Sequence, residues 1–239
     1  MERKAGRIWE IDALRGLLIL CVIVSHSLYY SANILGLFRI PPLVGYVMQY
    51  GGALFVILSG LSSTLGSNSF RRGLFVFAGG MVLTVGSYAG VLLGWLSDDM
   101  IIRFGVLHLL GFAMMIAPLL KKLPSWLLCV FGLAVVVVGY WLEAQPALVE
   151  TRLLFPLGLR YPGFSSGDYF PIAPHLGWFC LGIVLGRLLY REKTTRLPGV
   201  STANPIVRFF CFCGRNSLNI FIIHLPIVGL LMMLISSQL

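Results

Sequence analysis

Apolar residues run along this chain in long uninterrupted stretches, separated by short breaks rich in charge, proline or glycine. Seven stretches are long enough to cross a hydrocarbon layer as a helix of about 20 residues: 13–31, 44–65, 73–96, 102–120, 124–142, 173–190 and 216–236. Leu127 to Gly139 is apolar on every face, which excludes the alternation of a transmembrane barrel strand. Helices are expected, because a single segment in lipid satisfies its backbone only by coiling on itself. The pattern predicts an all-α polytopic membrane protein with about seven transmembrane helices, forming one domain over residues 1–239 without an internal repeat.

Composition agrees: 58% of residues are apolar and 11% charged, with a mean hydropathy of +0.89. An ordinary soluble domain carries charge at about a quarter of its positions. A soluble enzyme, a secreted disulfide mini-protein and a disordered segment are excluded. Met1 to Arg7 is basic and precedes an apolar stretch, as in a signal peptide. Asp12, Arg15 and His26 interrupt that stretch and no small-residue cleavage site follows, so it is expected to stay as the first span.

The net charge of +9 reads as orientation rather than nucleic-acid binding, because the basic residues punctuate apolar runs instead of clustering on a wet face. With the N-terminus cytoplasmic, the inner side holds fourteen of the eighteen Lys and Arg: Arg3, Lys4, Arg7, Arg15, Arg71, Arg72, Lys121, Lys122, Arg187, Arg191, Lys193, Arg196, Arg208 and Arg215. Arg39, Arg103, Arg152 and Arg160 fall outside. This split follows the positive-inside rule and predicts an external C-terminus. Two connections are long. Residues 143–172 form an external loop broken by Pro146, Pro156, Pro162 and Pro171, and residues 191–214 form a basic cytoplasmic one.

Ionisable side chains within spans are costly and are candidate sites by default. Asp12 and Arg15 are spaced to pair on adjacent turns. Arg15 and His26 are eleven residues apart, on one helical face and about 16 Å apart along the axis. His108 follows Arg103 in the fourth run, His175 opens the sixth, and His224 lies about 12 Å beyond Asn216 in the last. Each histidine has a structural alternative as a satisfied bundle residue. Five cysteines sit in or beside apolar segments without metal-type spacing and read as core packing. No two histidines have a helical ligand spacing, so no metal is expected unless separate helices assemble a site.

Several blocks carry a resemblance. Arg7-Ile-Trp-Glu-Ile-Asp12-Ala-Leu-Arg15-Gly16, leading to His26, resembles the first helix of membrane acyltransferases related to heparan-alpha-glucosaminide N-acetyltransferase, the DUF1624-type group. The arginine, ten residues and histidine are also similar to the signature of acyltransferase-3 O-acyltransferases. Ala53 to Gly60, Ile102 to His108, Tyr169 to Pro174, Gly182, Gly186-Arg187, Gly214 to Leu218 and His224-Leu-Pro226 extend the likeness over nearly the whole chain. The lysosomal enzyme is longer and has an asparagine where this chain has His26, so the resemblance implies scaffold and reaction class rather than heparan sulfate as acceptor.

The resemblance implies an acyltransferase taking an acyl group, acetyl first among them, from cytoplasmic acyl-CoA to a hydroxyl or amine of an external glycan or glycolipid. Within such a reaction the polar stripe offers His26, Arg15 and Asp12 as expected catalytic residues; Arg103, His108, Asn216, His224 and His175 are expected to bind substrate; and the charge map offers Arg71, Arg72, Arg187 and Arg215 to hold CoA phosphates. Membrane lipid and a second copy of the chain complete the expected partners, with no nucleic acid. A bacterial inner or plasma membrane is the expected location. A transporter using the same polar stripe as a relay is the alternative from another class.

Overall fold

The computed structural model describes residues 8–33, 35–147 and 149–236. Arg3, Lys4 and Arg7 of the basic N-terminal segment lie outside the described residues. Eight helices follow in order: α1 (Trp9–Asn33), α2 (Pro42–Leu65), α3 (Ser69–Leu92), α4 (Val106–Leu120), α5 (Ser125–Ala144), α6 (Ile172–Leu189), α7 (Pro205–Arg215) and α8 (Ser217–Ser236). Among the described residues there is no named strand, only a single parallel bridge between Phe104 and Tyr169.

Each of the seven apolar runs becomes a helix. Five helices, α1, α2, α3, α5 and α6, are long and apolar enough to cross a membrane, and α7 with α8 forms a sixth candidate broken by a 79° bend. The run 102–120 is a correction in detail. Its helix starts only at Val106 and is 15 residues long, about 22 Å against a hydrocarbon core of roughly 30 Å. Residues 101–105 are not helical, and their backbone is satisfied instead by Ser87, Ser166, Gly167 and Phe170. Non-helical backbone at this depth is tolerated where protein, not lipid, surrounds it. Ile101, Phe104 and Gly105 are buried accordingly.

The connection 191–214 is a second correction, because its last third is the helix α7. Asn204 caps it by accepting from the Ile206 N–H at 2.9 Å, and Pro205 occupies the first turn, where no N–H is needed. Cys211, Cys213 and Gly214 face inward while Ile206, Phe209 and Phe212 stay exposed.

The chain divides into two compact units. One comprises the residues up to Phe55 and from Glu192 onward. In it α1 packs along α7 and against α8, and Glu10 of α1 holds the segment before α7 by accepting from Thr195 Oγ1 at 2.9 Å and the Arg196 N–H at 2.7 Å. The other unit comprises Val56–Arg191. There α3 packs on α4 and α5 on α6, through glycines such as Gly73 and Gly111, or Gly132 and Gly177, where an added methyl would strike the facing backbone. Close backbone approach through small residues is how helices associate where lipid removes the hydrophobic drive. Large apolar side chains point outward instead, among them Val82, Val85, Trp126, Val137 and Leu188. Of the cysteines, Cys180, Cys211 and Cys213 are buried and Cys129 half-buried, whereas Cys21 is exposed and does not pack in a core.

Candidate functional site

Asp12 in the first turns of α1 is 4% exposed, a depth at which an unpaired carboxylate is not tolerated. Arg15 NH1 lies 3.4 Å from its Oδ1, one turn on, as the spacing predicts. Arg215 Nε at the end of α7 lies 3.7 Å from Oδ2. One carboxylate thus faces two guanidiniums. Arg215 is largely exposed there while Arg15 is mostly buried.

His26 stands eleven residues beyond Arg15 on the same helix. Its Nδ1 lies 2.8 Å from Nε2 of His224 on α8. His224 is buried, and its Nδ1 is 2.7 Å from the Phe221 carbonyl. Both ring nitrogens of His224 therefore have partners within the protein. Phe221 packs edge-on against both rings.

Asn216 sits at the bend between α7 and α8, where its Nδ2 donates to the Phe212 carbonyl at 2.9 Å and caps α7.

In the unit Val56–Arg191, Arg103 clamps the loop that follows α5. Its Nε donates to the Ser165 carbonyl at 3.0 Å, its NH1 to the Tyr88 hydroxyl at 2.9 Å, and its backbone N–H to Ser166 Oγ at 3.1 Å. Asp168 of that loop accepts from the Val106 N–H at 2.9 Å and so caps α4. Burial pushes the Asp168 carboxyl up to about 6, the Val106 N–H opposing that rise. Burial likewise holds the Tyr169 phenol above its ordinary range. It therefore remains a donor, here to the Phe155 carbonyl at 2.7 Å.

His108 is 2% exposed and bonded through both nitrogens. The Gly105 N–H donates to its Nδ1 at 3.2 Å, and Nε2 faces Thr84 Oγ1 at 3.2 Å, the hydroxyl donating onward to the Ile102 carbonyl. The His108 ring thus caps the N–H of Gly105 at the start of α4. His175 donates from Nδ1 to the Pro171 carbonyl at 2.9 Å. Together with Gly139, Glu143, Gly158, Arg160 and Tyr169 it lines a cavity of about 50 Å³, room for one or two waters at about 30 Å³ each.

The arginines expected to hold phosphate differ in their surroundings. Arg71 and Arg72 are exposed, Arg71 lying over the Phe75 ring. Arg187 is committed to the turn between α4 and α5, donating to the carbonyls of Lys121 at 2.7 Å and Leu123 at 2.9 Å and to Ser125 Oγ at 3.1 Å. A guanidinium spent on those acceptors is a poor phosphate ligand. Among the described residues no three His, Cys, Asp or Glu side chains converge as metal ligands would.

Apolar helices of spanning length, one of them carrying a buried Asp–Arg pair and a histidine paired across to a second helix, define a multi-pass integral membrane protein with polar chemistry inside its spans. Residues 7–226 match the family model described as heparan-alpha-glucosaminide N-acetyltransferase, catalytic, and the chain belongs to that family. Its class is therefore membrane acetyltransferase. No curated protein and no solved structure matches the chain.

Proposed function

We propose that this protein moves an acyl group, acetyl first among them, from cytoplasmic acyl-CoA to a hydroxyl or neutral amine on an external sugar-containing acceptor, with His26 as general base. The observation that carries the reading is the content of α1: a buried carboxylate facing two guanidiniums near one end, and a hydrogen-bonded imidazole about 16 Å beyond Arg15 along the same helix. The extended arm of CoA spans a distance of that order. Its phosphates are attracted to basic side chains, for which the charge count along the sequence offers Arg215, Arg71 and Arg72.

In the reaction the acceptor oxygen or nitrogen attacks the thioester carbonyl while His26 takes its proton. The carbon–sulfur bond then breaks, and the departing thiolate receives that proton to leave as CoA thiol. Arg15, held by Asp12, positions the donor. The reading takes residues 1–239 as one transmembrane domain of seven spans, with the N-terminus cytoplasmic and the C-terminus external, in a bacterial inner or plasma membrane. The loop 143–172 selects the acceptor.

The test is acetyl-CoA turnover by purified protein in nanodiscs, followed as thiol release with and without a cell-envelope extract. Release that needs the extract and disappears in His26→Ala supports the reading. Neither binding nor turnover at millimolar acetyl-CoA overturns it, and the polar stripe is then to be assayed as a transport path.

A further inference from the structure

We propose that His224 is a positioning residue that holds the proton of His26 on Nδ1 and so presents His26 Nε2 as the base. The assignment starts from one backbone atom. The Phe221 carbonyl, 2.7 Å from His224 Nδ1, can only accept, so that nitrogen carries a proton. A neutral imidazole has a single N–H, so Nε2 of His224 is an acceptor. The atom facing it at 2.8 Å is Nδ1 of His26, which must donate. His26 Nε2 is then left with its lone pair, the requirement for proton abstraction.

Ring geometry agrees with a proton held between the two imidazoles. The rings are 14° from parallel with centroids 5.0 Å apart. That separation suits two rings meeting edge to edge through one hydrogen bond, not two rings stacked face to face. Phe221, itself buried, packs edge-on at 6.4 Å from the His26 ring and 5.2 Å from the His224 ring, restricting rotation of both.

The chemical consequence follows from charge. In hydrolytic triads a carboxylate orients the histidine and stabilises its imidazolium. Here the orienting group is a neutral imidazole backed by a carbonyl, which fixes the tautomer without burying an anion within the spans. When His26 Nε2 takes the acceptor's proton, its Nδ1–H bond to His224 becomes charge-assisted and shortens. The proton stays at Nε2, where the thiolate can collect it. The catalytic part of this inference rests on the acyltransferase reading above, whereas the tautomer does not.

Two measurements on the full chain in bilayers decide it. With ring nitrogens labelled, the four histidines can be assigned by single substitution, and solid-state NMR reads the protonated nitrogen of each. Wild type is expected to show His26 protonated on Nδ1 and unprotonated on Nε2. His224→Ala is expected to lose that preference and His224→Gln, which offers an amide oxygen, to retain it. A wild-type His26 protonated on Nε2 overturns the proposal.

The second measurement separates kcat from KM in acetyl-CoA-dependent thiol release. His224→Ala is expected to lower kcat about 100-fold with KM for acetyl-CoA little changed, and His224→Gln to recover most of the loss. A rise in KM at unchanged kcat would make His224 a ligand contact and overturn the proposal, as would a folded His224→Gln as inactive as the alanine variant. Should His224→Ala fail to fold, His224→Gln decides alone by the same two criteria. If wild type does not turn over acetyl-CoA, the acyltransferase reading fails, and the ring spectra still decide the tautomer.

Discussion

Gly16 of α1 and Gly214 of α7 lie against each other's backbone: a methyl on Gly16 would enter the Phe210 carbonyl, and one on Gly214 the carbonyl of Asp12. This contact is what brings Arg215 to Asp12, since the arginine follows Gly214 directly. Packing and charge placement are here the same event.

Gly214→Ala is therefore expected to push α7 away from α1 and pull Arg215 off the Asp12 carboxylate. Overpacking of this kind costs about 1–3 kcal/mol. Thermal unfolding in nanodiscs should fall accordingly, and KM for acetyl-CoA should rise if Arg215 holds phosphate. An unchanged melting temperature would show that the helices separate freely and that the close approach is unimportant.

Asp12→Asn removes the anion that both Arg15 and Arg215 face. Arg15, mostly buried, then loses one of its ion-pair partners, for a loss of about 1 kcal/mol. Turnover is expected to drop at least about tenfold through misplacement of Arg15. Asp12→Glu should recover part of it. Wild-type turnover in Asp12→Asn would remove the cluster from the mechanism.

The Asp168 carboxyl, raised by burial to about 6 from an ordinary 3.8, supplies a pH dependence. A carboxyl raised on folding binds its proton more tightly in the folded state, so its contribution is complete below about pH 4 and is lost as pH rises through about 6. With the intrinsic pH dependence of amide exchange divided out, protection in residues 164–170 should be greater at pH 4.5 than at pH 7.5. Asp168→Asn, neutral and still able to accept from the Val106 N–H, should abolish the difference. Exchange rates in the variant that track the wild type across this range would assign the effect to another group.

Arg103→Lys keeps the charge but loses the planar fork that spans Ser165 and Tyr88. The external loop should loosen by about 1 kcal/mol for the bonds lost, visible as faster exchange near Ser165 and Ser166. If loop order selects the acceptor, KM for the acceptor rises while KM for acetyl-CoA stays constant. A rise in both would place Arg103 on the shared path of donor and acceptor.

The Asp12–Arg15 pair was legible because its partners are three residues apart on one helix. His26 was legible as an imidazole inside an apolar run. Its partner was not, because 198 residues separate His26 from His224, and no local pattern distinguishes a histidine that orients another from one that binds substrate. His108 shows the same limit: its capping bond depends on a glycine N–H three residues back, but its second bond comes from Thr84, a helix away. Helix α7 escaped the hydropathy pattern because it is short and interrupted by Arg208, and its burial against α1 depends on a glycine nearly two hundred residues earlier.

The amino-acid order alone determined that seven segments are helical and that the chain belongs in a membrane. Both follow from summed transfer energy and backbone self-satisfaction within one segment, which are local quantities. Tertiary structure decided which polar groups are spent on holding the protein together, as with Arg187 and His108, and which meet across helices, as with His26 and His224. That division depends on which backbone carbonyls and N–H groups the packed helices bring within about 3 Å, and distances of that kind exist only after the helices have packed.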